Sequence, residues 1–110
     1  MARFMKTLEK VNKIKKTGLF TKWLLSLKDA TAKATIIKRI ERAEQGNFGD
    51  HKSVGDGVFE MRISVGAGYR VYYGKTEKTI YLLLCGGNKA TQEKDIAKAK
   101  EVWRLVKCSV

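Results

Sequence analysis

Apolar side chains recur at helical spacing, three and four positions apart, in three stretches of the chain. These stretches predict a helix after Thr17, which is placed to cap its N-terminus, a second from about Ala30 to Glu44, and a last from about Gln92 to Lys107. Their apolar stripes are formed by Phe20, Trp23, Leu24 and Leu27 in the first, by Ile36, Ile40 and Ala43 in the second, and by Ile96, Ala99, Trp103 and Val106 in the third. The first two are joined so closely that they predict an antiparallel hairpin, and Gly46 is the expected residue after the second.

Between the second and third helices the pattern changes to a period of two, which is typical of half-buried strands. Residues 58–65 ("VFEMRISV") and 69–73 ("YRVYY") alternate, whereas residues 79–85 ("TIYLLLC") are apolar throughout, as expected of a strand covered on both faces. The segment "GNFGDHKSVGDG" (46–57) has the composition of a loop. The pattern therefore predicts an α+β domain of order (β)ααβββα, in which an antiparallel sheet of three or four strands packs against helices.

The first sixteen residues are basic, and their pattern permits two structures. Phe4, Leu8 and Val11 recur at helical spacing, while "VNKIKK" is equally compatible with an edge strand whose lysines discourage further pairing. The rest of the 110-residue chain contains no proline and no low-complexity linker, and this length corresponds to one domain.

The loop between residues 58–65 and 69–73 decides which side chains share a face of the sheet. A two-residue loop at Gly66–Ala67 would place Arg70 opposite Ile63, on the apolar face. A three-residue loop instead pairs Ser64 with Arg70 and Arg62 with Tyr72, and keeps the apolar side chains together. Burying an unpaired charge costs several kcal/mol, so the longer loop is favoured. It predicts one open polar surface formed by Arg62, Ser64, Arg70 and Tyr72.

Charge adds a preference for the kind of partner. Lys and Arg number 23 against 11 Asp and Glu, a formal net charge of +12. Surplus surface lysines can simply serve solubility, but a polyanion, either nucleic acid or an acidic protein, is the favoured partner. Arg62 and Arg70 would repel each other unless an anion lies between them. That anion is either an internal carboxylate, for which Glu60 lies on the same face, or an RNA phosphate beside an aromatic platform.

Other residues with reactive side chains form no recognised motif. The glycines of "CGGNK", which end at Lys89, lack P-loop spacing. His51 is the only histidine, and with no suitable cysteine nearby no metal site or cofactor is expected. Cys85 and Cys108 have neither zinc nor redox spacing and are expected to be inert thiols of a reduced, cytoplasmic chain. No apolar run approaches the ~20 residues of a membrane span, so no membrane partner is expected.

Three segments, "GNFGDHKSVGDGVFEMRI", "GAGYRVYY" and "LLCGGNKATQEKDI", carry a resemblance that extends over about residues 20–103. Here the chain resembles the addiction-module killer proteins, a HigB-like branch of the RelE/ParE toxin superfamily. The resemblance implies a single microbial-RNase-like toxin domain over residues 1–110 and favours a first strand in "EKVNKIKK". It also implies a type II toxin that inhibits translation by ribosome-dependent mRNA cleavage, through 2′-hydroxyl attack and without a metal.

The same resemblance implies site residues. Arg70 matches the arginine of the family's "GYR" stretch, Arg62 a basic residue on the preceding strand, and Lys89 the basic residue after the last strand. Other HigB-like toxins use histidine, which makes His51 a candidate for proton transfer. Further contacts to RNA or phosphate are expected from Lys52, Ser64, Tyr72 and Gln92.

The chain also departs from the family. Glu60 stands where a second basic residue is usual, and residues 86–110 contain no tyrosine, so the general base is not identified. The expected partners are an acidic or helix-turn-helix antitoxin and the ribosome with its mRNA. Three alternatives stay open: a ParE-like poison of DNA gyrase, a non-catalytic basic nucleic-acid-binding module, and an inactive toxin that binds only its antitoxin.

Overall fold

The computed structural model of the chain describes residues 10–108. In chain order its elements are β1 (Lys13–Lys16), α1 (Gly18–Ser26), α2 (Ala30–Glu44), β2 (His51–Gly55), β3 (Val58–Ile63), β4 (Tyr69–Glu77), β5 (Ile80–Asn88), a 3-10 turn (Lys89–Thr91) and α3 (Gln92–Cys108). The predicted α+β class is confirmed, and β1 lies where the resemblance placed a strand. The alternative helical spacing of Phe4 and Leu8 falls outside the described residues.

The strands form one five-stranded sheet in the order β1-β5-β4-β3-β2. β1 runs parallel to β5, and the other neighbours are antiparallel. The prediction of a loop over residues 46–57 was wrong, because β2 lies within it and makes the sheet one strand larger than expected. β2 is an edge strand with mostly exposed side chains, so backbone pairing with β3 forms it and no apolar alternation marks it in the sequence.

The sheet is the middle layer of the fold, and each of its faces has its own core. On the face of α1 and α2 the buried residues are Phe20, Ile36, Ile40, Ala43, Met61, Ile63, Val71, Tyr73 and Leu83. On the face of α3 they are Val58, Tyr72, Leu84, Cys85, Ala99 and Trp103. The face that was predicted to be open and polar is therefore largely covered by α3.

The helix ends follow from local chemistry. The Thr17 hydroxyl accepts a hydrogen bond from Phe20 N at 3.0 Å and donates one to Leu84 O at 2.8 Å, which caps α1 and ties it to β5. Gly46 has a φ of +95°, as expected of the residue after α2. The cap at Thr17 and the position of Gly46 are thus confirmed.

The β3–β4 hairpin has the predicted parity but a different register. Its loop comprises the five residues 64–68, so that Ile63 pairs with Tyr69 and Arg62 with Arg70. The predicted three-residue loop was wrong because Gly66 and Gly68, with φ of +54° and +76°, turn the chain over a wider span. Both loops have odd length, and therefore the prediction that the two arginines share a face is confirmed.

Two further expectations from the sequence concern the reactivity of the cysteine thiols and the presence of a membrane-spanning segment. Burial raises the pKa of Cys85 to about 12, so that its unreactive protonated form prevails at neutral pH, while Cys108 is an exposed free thiol. Within residues 10–108, no helix is both long enough and apolar enough to cross a membrane.

Candidate active site

A groove of about 480 Å³ opens at the end of the sheet where β3 turns into β4. We call it the arginine groove; its lining residues are Asp50, Arg62, Ile63, Ser64, Val65, Gly66, Gly68, Tyr69, Arg70 and Lys89. α3 begins at Gln92 and covers the adjoining part of the same face. Four of the predicted site residues, Arg62, Ser64, Arg70 and Lys89, meet in the groove.

Arg62 is held at the mouth of the groove by an exposed carboxylate. Its Nη2 lies 3.0 Å from Asp50 Oδ1, and the two side chains are 39% and 54% exposed. Its backbone N–H donates to Asp50 O at 2.8 Å, whereas its buried Nε has no hydrogen-bond partner among the described residues. An exposed ion pair of this kind contributes only about 0–1 kcal/mol, so an incoming anion can replace Asp50 at little cost.

Arg70 is held from beneath by a buried carboxylate. Its Nε lies 3.5 Å from Glu60 Oε1, with the Arg70 side chain 12% exposed and the Glu60 side chain 0% exposed. Its Nη1 donates to Gly68 O at 3.3 Å. Of the two counter-ions that the sequence left open, an internal carboxylate is present at each arginine: Glu60 at Arg70, which the sequence analysis named, and Asp50 at Arg62.

The same carboxylate binds two other predicted site residues. Glu60 Oε1 accepts hydrogen bonds from Gln92 Nε2 at 3.0 Å and from the Tyr72 hydroxyl at 3.3 Å. Tyr72 is 0% exposed, which contradicts the predicted aromatic platform because α3 covers this part of the sheet. Burial, and next the Glu60 charge, raises the pKa of Tyr72 well above its ordinary value, so the hydroxyl remains a donor. Neither Tyr72 nor Gln92 lines the groove.

The other two predicted residues lie on the edge strand β2. Lys52 is exposed and pairs with Glu60 across the strands, outside the groove lining. His51 pairs with Met61, which belongs to the core beneath α1 and α2. Its Nδ1 lies 2.8 Å from Gly49 O, and its ring centroid 5.9 Å from that of Phe48. Cross-strand neighbours share a face, so the sheet separates His51 from the two arginines.

Asp50 and Arg39 belong to the site although sequence reasoning did not place them there. Asp50 is the one carboxylate that lines the groove within residues 10–108. Arg39 of α2 donates to Arg62 O at 2.6 Å, to Phe48 O at 2.9 Å and to Asp50 O at 3.4 Å. Burial lowers the pKa of Arg39. Arg39 lies outside the apolar stripe of α2, which consists of Ile36, Ile40 and Ala43. No sequence signal indicates that a distant loop brings backbone carbonyls to it.

The arrangement can bind an anion and move a proton. Two guanidinium groups and the exposed Lys89 supply positive charge, and a guanidinium matches two phosphate oxygens at once. Asp50 supplies oxygen lone pairs that can accept a proton. No group of three or more His, Cys, Asp or Glu side chains suited to a metal ion occurs in the described part of the chain.

Comparison with known proteins finds two similarities. Residues 22–104 match the family described as phage-derived protein Gp49-like (DUF891). An uncharacterized protein of Haemophilus influenzae strain Rd is 55% identical over 87 residues, which cover 79% of this chain and 88% of that protein. The family match spans both strands of the groove, the loop at Asp50 and the whole segment from Lys89 to Gln92.

Proposed function

The chain belongs to the Gp49-like family of phage-derived proteins, a RelE-like toxin family, and from that premise we propose that it is the toxin of a type II toxin–antitoxin module. It inhibits translation by cutting mRNA on the ribosome. The observation that carries this proposal is the pairing of Arg62 with Arg70 across neighbouring strands, in a groove that also contains Lys89 and Asp50.

The proposed reaction is an attack by an RNA 2′-hydroxyl on the adjacent phosphate. As the new O–P bond forms, the hydroxyl proton passes to Asp50. The bond from phosphorus to the 5′-oxygen of the next nucleotide breaks, and that oxygen takes a proton from Lys89. The products are a 2′,3′-cyclic phosphate and a 5′-hydroxyl end. Arg62 and Arg70 hold the phosphate oxygens and stabilise the charge that develops on them.

Asp50 is freed for this role by the substrate itself. In the free protein its Oδ1 accepts from Arg62 Nη2, and a phosphate that binds Arg62 takes over that hydrogen bond. The carboxylate is then available beside the bound phosphate. This exchange assigns the proton acceptor to Asp50 in preference to His51, which lies across the sheet. A ribosome that positions the message contributes the remaining alignment, an effect large enough to dominate such a reaction.

The proposed partners follow from charge. With a formal net charge of +12, the chain is suited to mRNA and ribosomal RNA and to an antitoxin with an acidic segment that covers the basic surface. A small acidic or helix-turn-helix protein encoded beside this chain is the expected antitoxin. A HigB-like identity within the wider toxin superfamily is part of the same proposal.

A second candidate function is non-catalytic binding of nucleic acid. One observation favours it: each arginine already has a carboxylate partner, so both can be explained as structural ion pairs beside a basic surface. The two functions differ in whether RNA is broken.

Induction of the chain in bacteria, followed by primer extension on abundant messages, tests the proposal. We expect growth arrest with new message ends, and a loss of at least ~100-fold in cleavage for Arg70→Ala and Asp50→Asn. Lys78→Ala, in the exposed turn at the other end of β4, is the matched control and should cleave normally. Growth arrest with intact messages would overturn the proposal; DNA breaks with an SOS response would then indicate gyrase, and RNA binding without cleavage the second candidate.

A further inference from the structure

We infer that Glu60 is a positioning residue: it holds the guanidinium of Arg70 so that the Nη2 atom of Arg70 faces the arginine groove. Glu60 is the one charged side chain in the buried set of the described residues, at 0% exposure. It lies outside the groove lining and therefore acts on a bound phosphate through Arg70. The inference rests on the proposed function for the reaction that it serves, and concerns how the site is built.

Arg70 is fixed on two sides and open on a third. Its Nε is 3.5 Å from Glu60 Oε1 and its Nη1 donates to Gly68 O at 3.3 Å. Its Nη2 makes no hydrogen bond within residues 10–108, and Arg70 lines the groove. A guanidinium held in this way presents Nη2 to a phosphate without first losing side-chain freedom, which is the advantage of a preorganised donor.

The buried carboxylate has no evident advantage for the fold alone. A buried charge is costly even when it is paired, and an apolar residue of similar size is often as stable or more stable. Glu60 Oε1 is satisfied by Gln92 and Tyr72, but Glu60 Oε2 and Arg70 Nε both lack hydrogen-bond partners. These two buried atoms belong to the two members of one ion pair. The pair is therefore held by charge attraction at 3.5 Å, which orients Arg70 without adding a hydrogen bond to the fold.

This geometry predicts opposite effects on binding and on reaction. Glu60→Gln keeps the shape and one acceptor oxygen but removes a negative charge from beneath the phosphate site. Anion binding should therefore tighten by about 3-fold to 10-fold, while the contact that orients Arg70 weakens because a neutral amide no longer attracts the guanidinium charge. Cleavage of bound RNA should slow by ~10-fold, and by ~100-fold in Glu60→Leu, which has no acceptor. A merely structural Glu60 would lower the folded fraction and leave the cleavage rate constant and the Arg70 Nε–H exchange of folded molecules unchanged.

The first experiment measures, by NMR of the full-length, 15N-labelled chain, how fast the Nε–H proton of Arg70 exchanges with water. The Nε–H resonance of Arg70, assigned by its loss in Arg70→Lys, should exchange slowly with water in the wild type. Exchange of this proton with water should be at least 10-fold faster in Glu60→Leu than in the wild type. The exchange rate in Glu60→Gln should lie between those of the wild type and Glu60→Leu. Glu101→Gln removes an equal charge from the exposed side of α3 and should match the wild type. Titration with inorganic phosphate in the same samples gives the anion affinity.

The second experiment measures single-turnover mRNA cleavage on purified ribosomes for the wild type, Glu60→Gln, Glu60→Leu and Glu101→Gln. A lower rate constant at a tighter half-saturating concentration in Glu60→Gln supports the inference. If the wild type cuts no message, the proposed function fails, while Nε–H exchange still decides the role of Glu60. If Glu60→Gln and Glu60→Leu leave the Nε–H exchange unchanged, or if Arg70 Nε–H already exchanges rapidly in the wild type, Glu60 does not position Arg70.

Discussion

At the scale of single residues, Arg62 and Arg70 differ in how firmly a carboxylate holds each guanidinium. Asp50 is 54% exposed and can leave Arg62 readily, whereas Glu60 is 0% exposed and remains with Arg70. In the proposed reaction this difference gives Arg62 and Arg70 separate roles. Arg62 exchanges its carboxylate for the incoming phosphate and so releases a proton acceptor, while Arg70 provides a fixed donor on the opposite strand.

Arg39 offers a prediction at the same scale. It donates to the carbonyls of Phe48, Asp50 and Arg62, and so holds the segment before β2 against β3. Arg39→Ala leaves these carbonyls without their donor and should lower the free energy of unfolding by about 1–3 kcal/mol. Because Asp50 would lose its fixed position, growth arrest should weaken as well. Urea unfolding and growth after induction measure the two effects.

Arg42→Ala is the control for Arg39→Ala, since Arg42 is an exposed arginine of the same helix. Exposed substitutions usually change stability by less than about 0.5 kcal/mol. Equal stability of the two variants would show that the contacts of Arg39 do not hold this segment.

At the scale of elements, the position of α3 divides one face of the sheet into a core and a site. From Gln92 onwards the helix covers Glu60 and Tyr72, and before Gln92 the chain leaves Arg62 and Arg70 accessible. Close packing of α3 depends on a glycine in β4, because a Cβ atom at Gly74 would lie 2.7 Å from the Trp103 ring. Every other residue carries a Cβ atom, so only glycine leaves that space to the indole.

Gly74→Ala should therefore displace α3 and lower the free energy of unfolding by about 1–3 kcal/mol, the usual cost of overpacking. The corresponding loss in thermal midpoint, ~4–8 °C per kcal/mol for a domain of about this size, is measurable by tryptophan fluorescence. Gly18→Ala is the matched control: at Gly18 a Cβ atom would meet nothing within 4 Å. Because alanine is the better helix former, this variant should be as stable as the wild type or more stable by up to ~1 kcal/mol. A midpoint of Gly74→Ala at or above the wild-type value would contradict the packing argument.

At the scale of the whole molecule, positive charge exceeds negative charge by 12, while the groove contains both signs. In the proposed function, the net charge of the whole chain attracts RNA over long range, and Arg62, Arg70 and Lys89 contact it locally. Counter-ions released by the bound strand make such affinity depend on salt.

Binding of a 2′-deoxy oligonucleotide, which cannot undergo the proposed reaction, should weaken steeply with salt. For three phosphate contacts the slope of log affinity against log salt is expected to be about −2, so that affinity falls by ~20-fold from 50 to 200 mM. Fluorescence anisotropy measures both quantities. Lys89→Ala should make the slope shallower by ~0.7, whereas Lys38→Ala, on the exposed side of α2, should change it less. A slope near zero would argue against phosphate binding altogether.

The sequence by itself determined the features that depend on neighbours along the chain. The limits of α2, the cap at Thr17 and the apolar stripes all follow from local spacing, and each is confirmed. The shared face of Arg62 and Arg70 also follows, because side chains alternate with a period of two and any odd loop preserves that parity. Register was beyond reach, since a three-residue and a five-residue loop satisfy the same alternation.

Only the tertiary structure decided what surrounds the two arginines. Strand alternation placed Glu60 on their face, but Asp50 and Arg39 come from other parts of the chain, and no local spacing records that folding brings these two to the arginines. β2 exists because β3 offers it a backbone edge, and Tyr72 is buried because α3 packs over it. The alternation of residues along a strand predicts which side chains share one face of the sheet. Whether that side is open, covered or neutralised depends on contacts between residues far apart in the chain, and burial and ion pairing arise from those contacts.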